Sequence, residues 1–271
     1  PDGSITSSFL ELFGRPPLFA GQENRRAYLS NATLAHTRLG RPRVPVARLI
    51  EWTEQHQMIR DVVRRFVEAE IVPHVEALEH GDLPPYDILR KLFSSFGMDE
   101  LARARFQKQI ERERRGEAKR DDIGDVVGRG EGVAAQLIPI IEMCRHCPGM
   151  VTAMGVSVAL TSAAIMGKGT IRQKERWALD LLTLDKIGAW GMTEPGAGSD
   201  LAGMSTRAED QGGHWLLNGS KTYISNGQIG DVFVVAARTD PLRKHGLSLF
   251  IVERGMVGFG RGRNLQKMGL K

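Results

Sequence analysis

The chain has 271 residues, 41% hydrophobic and 25% charged, the balance of a soluble globular protein long enough for a large core and one or two domains. Its net charge of +5 favours acidic partners such as phosphates, but Lys and Arg are interleaved with Asp and Glu, so the signal for nucleic acid is weak. The longest apolar run, near Val151 to Met166, is broken by Thr152, Ser157, Thr161 and Ser162. It falls short of the ~20 residues of a bilayer span, which predicts a buried helix and no membrane span.

Residues 1–48 hold seven Arg against three acidic residues, but Pro16, Pro17, Pro42 and Pro45 interrupt any long amphipathic helix, so this stretch reads as a basic N-terminal arm and not a targeting peptide. Met58, Ile59, Val62, Val63, Phe66, Val67 and Ile71 then recur at helical spacing, with Thr53 as cap and Pro73 as stop. Pro84-Pro85 opens a second helix through Ile88, Leu89, Leu92, Phe93 and Phe96, ended by Gly97. Residues 99–122 carry eight basic and seven acidic residues around Leu101, Phe106 and Ile110, which reads as a mostly solvated surface excursion.

Apolar helices resume from Val133 to Cys147 and from Met150 to Met166, parted by Pro148-Gly149. Cys144-Arg-His-Cys147 offers too few ligands for a tetrahedral zinc site and reads as a reduced pair on a packed helix. Gly167-Lys-Gly-Thr170 lacks the preceding strand and glycine spacing of a phosphate loop.

From Lys186 the period becomes strand-like, with runs at Ile187 to Thr193, Ser205 to Ala208, His214 to Leu217, Lys221 to Ser225, Val232 to Arg238 and Leu247 to Val252. Asn218-Gly219 between two of them signals a hairpin. The expected fold class is therefore α+β. A helical domain at 49–186, with a charged insertion about 98–130, is followed by an antiparallel β-barrel or sandwich domain at 187–271.

Two stretches of that second part carry chemistry. Trp190-Gly-Met-Thr-Glu-Pro-Gly-Ala-Gly-Ser-Asp200 runs from an extended apolar segment into a glycine turn whose N–H groups, in a nest with some positive φ, would hold an anion. Lys221-Thr-Tyr-Ile-Ser-Asn-Gly227 adds an aromatic ring and a hydroxyl. Within the first, Glu194 before Pro195 suits a turn-organising role better than that of a base, and Asp200 suits a loop tie.

The pair of segments resembles the flavin-binding signature of the acyl-CoA dehydrogenase family. The stretch from Thr53 to Pro73 and Gly169-Thr170 with Gln173-Lys174 and Trp177 are similar to it too, so the resemblance covers roughly residues 50–271. It implies FAD held by Trp190, Met192, Thr193, Gly198, Ser199, Tyr223, Ile224 and Ser225, and an acyl-CoA contact at Ser199. The family more often has Trp where Tyr223 stands, Thr where Ser225 stands and a smaller aromatic where Trp190 stands. The first two exchanges keep the stacking face or the hydroxyl. The third narrows the site.

The implied reaction is α,β-dehydrogenation of an acyl-CoA thioester to the trans-2-enoyl-CoA, with electrons passed to an electron-transfer flavoprotein. The same resemblance implies a homodimer or homotetramer, in a bacterial cytoplasm or, alternatively, a mitochondrial matrix. In the family the catalytic Glu lies in a C-terminal four-helix bundle beyond the point matching residue 271, so the chain reads as truncated before that bundle, with an incomplete β domain, and no residue here is assigned as base. An oxidase or flavin monooxygenase of the same fold, or a non-catalytic flavoprotein or partner subunit binding protein or nucleic acid, is the alternative reading.

Overall fold

The computed structural model describes residues 4–5, 52–117, 131–240, 246–265 and 267. Most of the basic arm and residues 118–130 of the charged stretch lie outside them.

Helix α1 (Glu54–Glu70) begins with a capping box: Thr53 Oγ1 accepts the His56 N–H, and the His56 ring accepts the Thr53 N–H. It gives way to a 3-10 turn at Val72–His74, where Pro73 has no N–H to continue the ladder. Helix α2 (Val75–His80) stops at Gly81, with φ 82°, and α3 (Tyr86–Ser95) is followed by Gly97, with φ 61°. Helix α5 (Glu131–Cys144) is tied to α1 by the guanidinium of Arg64, which donates to both oxygens of buried Glu142 at 2.9 and 3.0 Å and holds that carboxyl below its usual range. Cys147 is buried beyond α5, and burial, helped by Glu79, pushes its thiol up to about 11.

The charged stretch forms a further helix, α4 (Met98–Arg114). Most of its residues are exposed, as expected, but Phe106 and Ile110 are buried, and Glu113 accepts a 2.5 Å hydrogen bond from Lys174, whose side chain is 1% exposed. It is bolted to the core, not a free excursion.

Helix α6 (Pro148–Lys168) has 21 residues, longer than the apolar run suggests, because Pro148 starts it and the chain leaves the helix only at Gly169. Its length and composition would suit a bilayer, yet Ser157, Thr161, Ser162, Ala164 and Ile165 are buried inside the protein. Thr170 and Gln173 form a second capping box that opens α7 (171–182). Both helices widen into π turns, at Val156–Thr161 in α6 and Lys174–Ala178 in α7.

The strands are β1 (Ser4–Ile5), β2 (Gly188–Gly191), β3 (Arg207–Asp210), β4 (Trp215–Asn218), β5 (Val232–Arg238) and β6 (Leu247–Glu253). Their order is β1-β6-β5-β3-β4, with β2 also on β5. The sheet is mixed and not antiparallel throughout: β2 runs parallel to β5 from Gly188 opposite Val232 to Gly191 opposite Val235, and β3 meets β5 in parallel at Arg207 opposite Arg238. Long connections reach β5 from both, so it can return in the same direction.

The hairpin expected at Asn218-Gly219 is not formed. The turn lies instead between β3 and β4, where Gln211 N donates to His214 O at 3.0 Å and Gly212 takes φ 77°. Gly219 is needed for a close approach, since a Cβ there would lie 2.4 Å from Thr206 Oγ1. Residues 221–225, expected as a strand, cross out of the sheet.

One apolar cluster joins α1, α3, α5 and the start of α6 through Val67, Leu89, Phe93, Met143 and Met150. A second joins α4, α6 and α7 to the sheet through Phe106, Ile165, Trp177, Leu181, Val234 and Leu249, with Met192 and Ala197 among its members. The glycine turn is thus rooted in a core shared by helices and strands. At that junction a Cβ on Gly188 would sit 2.8 Å from Thr161 Cβ and 3.1 Å from Leu181. Gly188→Ala is expected to cost about 1–3 kcal/mol by overpacking, seen as a lower urea midpoint at constant m-value.

Candidate functional site

Strand β2 carries half-buried Trp190 to the edge of this core, and buried Met192 and half-buried Thr193 follow. Glu194 N then donates to Ala197 O at 2.9 Å and Ala197 N to Glu194 O at 3.2 Å, closing a tight turn over Pro195 and Gly196. Gly198 and Ser199 emerge exposed from it. Asp200 leads into a 3-10 turn at Leu201–Gly203 that its carbonyl ties, accepting from Gly203 N at 3.1 Å, while its side chain caps no N–H. Neither Gly196 nor Gly198 takes a positive φ, so the expected nest of left-handed residues is not built. What these glycines provide is room: a Cβ on either would meet nothing within 4 Å.

The second segment packs beside the first. Thr222 N donates to Thr193 O at 2.9 Å, which puts the next residue, Tyr223, beside the strand end. Tyr223 has φ 55° and is 67% exposed, a combination unusual for a bulky aromatic residue. Ile224 and Ser225 are half-buried, and Gly227 N donates to Ile224 O at 2.9 Å, turning the chain back.

A buried ion pair holds the two segments together. Glu194 is 4% exposed, and its carboxylate accepts from Lys221 Nζ at 2.7 Å, Thr206 N at 2.9 Å, and Ser205 N and Oγ at 2.7 Å each. Burial opposes its charge, but the hydrogen bonds from Lys221, Thr206 and Ser205 together bring the carboxyl down to about 2. Lys221 also donates to Met192 O at 3.2 Å, and burial lowers its pKa against the pull of Glu194. A carboxylate so fully occupied cannot take a proton near neutral pH. It organises the loop, in keeping with its reading from the sequence.

The N-terminal domain model of the acyl-CoA dehydrogenases matches residues 53–106, and the model of their middle domain matches residues 189–271, which takes in both segments. The chain belongs to the acyl-CoA dehydrogenase family. A short-chain specific acyl-CoA dehydrogenase of Clostridium acetobutylicum is 30% identical over 81% of this chain and 53% of its own length. The long-chain specific mitochondrial acyl-CoA dehydrogenase of Sus scrofa is 34% identical over 81% of this chain and 47% of its own. A glutaryl-CoA dehydrogenase from Mycobacterium smegmatis, solved in complex with FADH2, superposes with a TM-score of 0.58 at 28% identity, covering 80% of this chain and 50% of that one. The chain spans about half the length of the curated relatives it matches.

Among the residues singled out from the sequence, the structure brings Met192 and Thr193 against Lys221 and Thr222 and leaves Gly198, Ser199 and Tyr223 exposed. The residues that sequence reasoning passed over are the ones doing the holding: Lys221, Ser205, Thr206 and Asn226. One signal for Lys221 was present. A Glu inside an otherwise uncharged glycine turn and a Lys opening the second segment are opposite charges in stretches that resemble a functional pair. A cleft of about 560 Å³ between α7 and the sheet, lined by Arg172, Arg176, Trp177, Trp215 and Phe250 among others, includes no residue of either segment.

Proposed function

We propose that the natural-length protein is an FAD-dependent acyl-CoA dehydrogenase that converts an acyl-CoA thioester to the trans-2-enoyl-CoA and passes electrons to an electron-transfer flavoprotein. The observation that carries this is the joining of residues 192–194 to 221–222 by the Glu194–Lys221 pair and the Thr222-to-Thr193 hydrogen bond, with Tyr223, Gly198 and Ser199 facing open space beside them. The donor set fits a flavin. Thr193 and Ser225 offer hydroxyls to a ring edge, Met192 and Ile224 offer backbone groups, Trp190 and Tyr223 offer aromatic faces, and Gly198 and Ser199 lie where a phosphate can approach the backbone.

Bound FAD would supply the hydride acceptor. This chain's residues would hold and orient the ring, exclude water from one face and keep the Ser199 hydroxyl toward the acyl-CoA. The base that removes the α-proton is assigned to no residue here. The family resemblance carries the further expectation of a homodimer or homotetramer in the cytoplasm or mitochondrial matrix.

The reading is tested by the visible spectrum of the anaerobic protein before and after short-, medium- and long-chain acyl-CoAs. A yellow protein bleached by one class supports it and identifies the chain length. A colourless natural-length protein ends the flavin reading, and peroxide release in air turns it into an oxidase. Thr193→Val and Ser225→Val together are expected to weaken FAD retention or slow its reduction about tenfold or more, since each removes a hydroxyl and leaves its partner unpaired. Unchanged dissociation and stopped-flow reduction would remove both residues from the site.

A further inference from the structure

The residue after Ser225 ties the second segment to two other layers of the fold. Asn226 takes φ 64°, in the left-handed region where Asn is tolerated better than most residues, and its carbonyl accepts from Gly230 N at 2.7 Å and Ile229 N at 3.1 Å. Its side-chain Nδ2 donates to Gly188 O at 2.7 Å and to Ala153 O at 3.1 Å. Both partners are carbonyl oxygens, so only the nitrogen of the amide can face them.

These two acceptors belong to different layers. Gly188 begins β2, the strand that delivers Trp190, and Ala153 lies in α6 just before its π turn. The same two residues are already held by others: Tyr86 donates its hydroxyl to Ala153 O at 3.1 Å, and Ser157 Oγ accepts from Gly188 N at 2.9 Å. One amide therefore closes a network that runs from α3 and α6 through β2 to the second segment.

Resting on the flavin reading above, we infer that Asn226 is a positioning residue. By spanning Gly188 O and Ala153 O it sets the height of Ser225 and Tyr223 against Trp190 and Thr193, so that hydroxyls and rings from two distant stretches meet one flavin. Two left-handed residues lie close together there, Tyr223 at φ 55° and Asn226 at φ 64°, and the bulky Tyr223 in particular holds that conformation only if something outside the segment determines it. The two side-chain bonds of Asn226 are that constraint.

Two substitutions separate the amide's hydrogen bonds from its backbone conformation. Asn226→Gly keeps the left-handed φ and loses both donors. Asn226→Asp keeps size and shape but turns a carboxylate toward two carbonyl oxygens. Facing two carbonyl oxygens, and with the nearby Tyr86 hydroxyl already given to Ala153 O, that carboxyl titrates above its usual range, and once protonated it regains one O–H donor. The ionisable groups around the site are Tyr86, which burial pushes up to about 12 and which stays protonated, with Arg90 over its ring, and Asp231, which accepts from Ile187 N. They are common to parent and variants, so the comparison is made at equal pH.

FAD dissociation and the visible spectrum of the natural-length protein are measured at pH 8 and pH 5.5. The expected result is at least tenfold weaker FAD binding in both variants at pH 8, with Asn226→Asp, but not Asn226→Gly, recovering part of it at pH 5.5. Binding and spectra equal to the parent's overturn the assignment while leaving the flavin reading intact, as does a loss in Asn226→Asp that acid does not reverse. A parent protein that binds no FAD overturns the flavin reading and the assignment with it.

Discussion

Glu194→Gln is expected to lower folding stability by about 3–5 kcal/mol, because it leaves the Lys221 ammonium largely buried without its carboxylate and turns one amide NH2 toward groups that are themselves donors. The side chains of Lys221 and Glu194 are 11% and 2% exposed, so little water is at hand to compensate. Lys221→Met in the same background is expected to recover most of the loss, since the uncompensated charge is then gone. A double-mutant cycle by urea unfolding measures the coupling. Additive effects of the two substitutions would mean that the pair does not join the segments. The pH dependence gives a second check with a definite sign. The folded carboxyl titrates at about 2 against an ordinary 4.5, so its contribution is whole above pH 4.5 and is lost as pH falls toward 2. The parent should therefore lose stability more steeply across that window than Glu194→Gln does.

Glu113→Ala is expected to produce a loss of the same order, about 3–5 kcal/mol, at a position outside both segments. Its carboxylate lies 2.5 Å from Lys174 Nζ, and Lys174 is among the largest fully buried side chains. Lys174→Met combined with it should restore much of the stability, because an unbranched apolar side chain fills the same channel without a charge. A Glu113→Ala protein that unfolds at the parent's urea midpoint would show that α4 is a solvated appendage after all. The pair matters for the site because α4 and α7 pack into the same core as Met192 and Ala197, so loosening α4 is expected to loosen the floor of the glycine turn.

Much of this architecture was legible in the chain. The stripe through Val63, Val67 and Ile71, the cap at Thr53 and the stops at Pro73 and Gly97 are local signals, set by interactions between residues a few positions apart, and the helices begin and end where those signals lie. Strands β5 and β6 were equally plain, because both are apolar enough to be buried over most of their length. The two segments of the candidate site stood out through their glycines, hydroxyls and aromatic residues. The turn-organising role of Glu194 followed from its place before Pro195.

Other features had no local signature. Asn218-Gly219 suited a hairpin, but Lys221 is drawn to a carboxylate 27 positions earlier in the chain, and that bond takes the following residues out of the sheet. Period-two alternation says that a segment is extended and not which neighbour it joins, so the parallel pairing of β2 and β3 with β5 was settled by crossover connections. The charge of 99–122 concealed an anchor, since Phe106, Ile110 and Glu113 weigh little in composition, yet the first two are buried and the third meets buried Lys174. By itself the sequence determined the helices, the principal strands, the family and the two stretches proposed as the site. Only the tertiary structure decided how those stretches meet, because the Glu194–Lys221 pair and the amide of Asn226 act between residues distant in the chain, and their strength comes from a burial that exists only once the whole is folded.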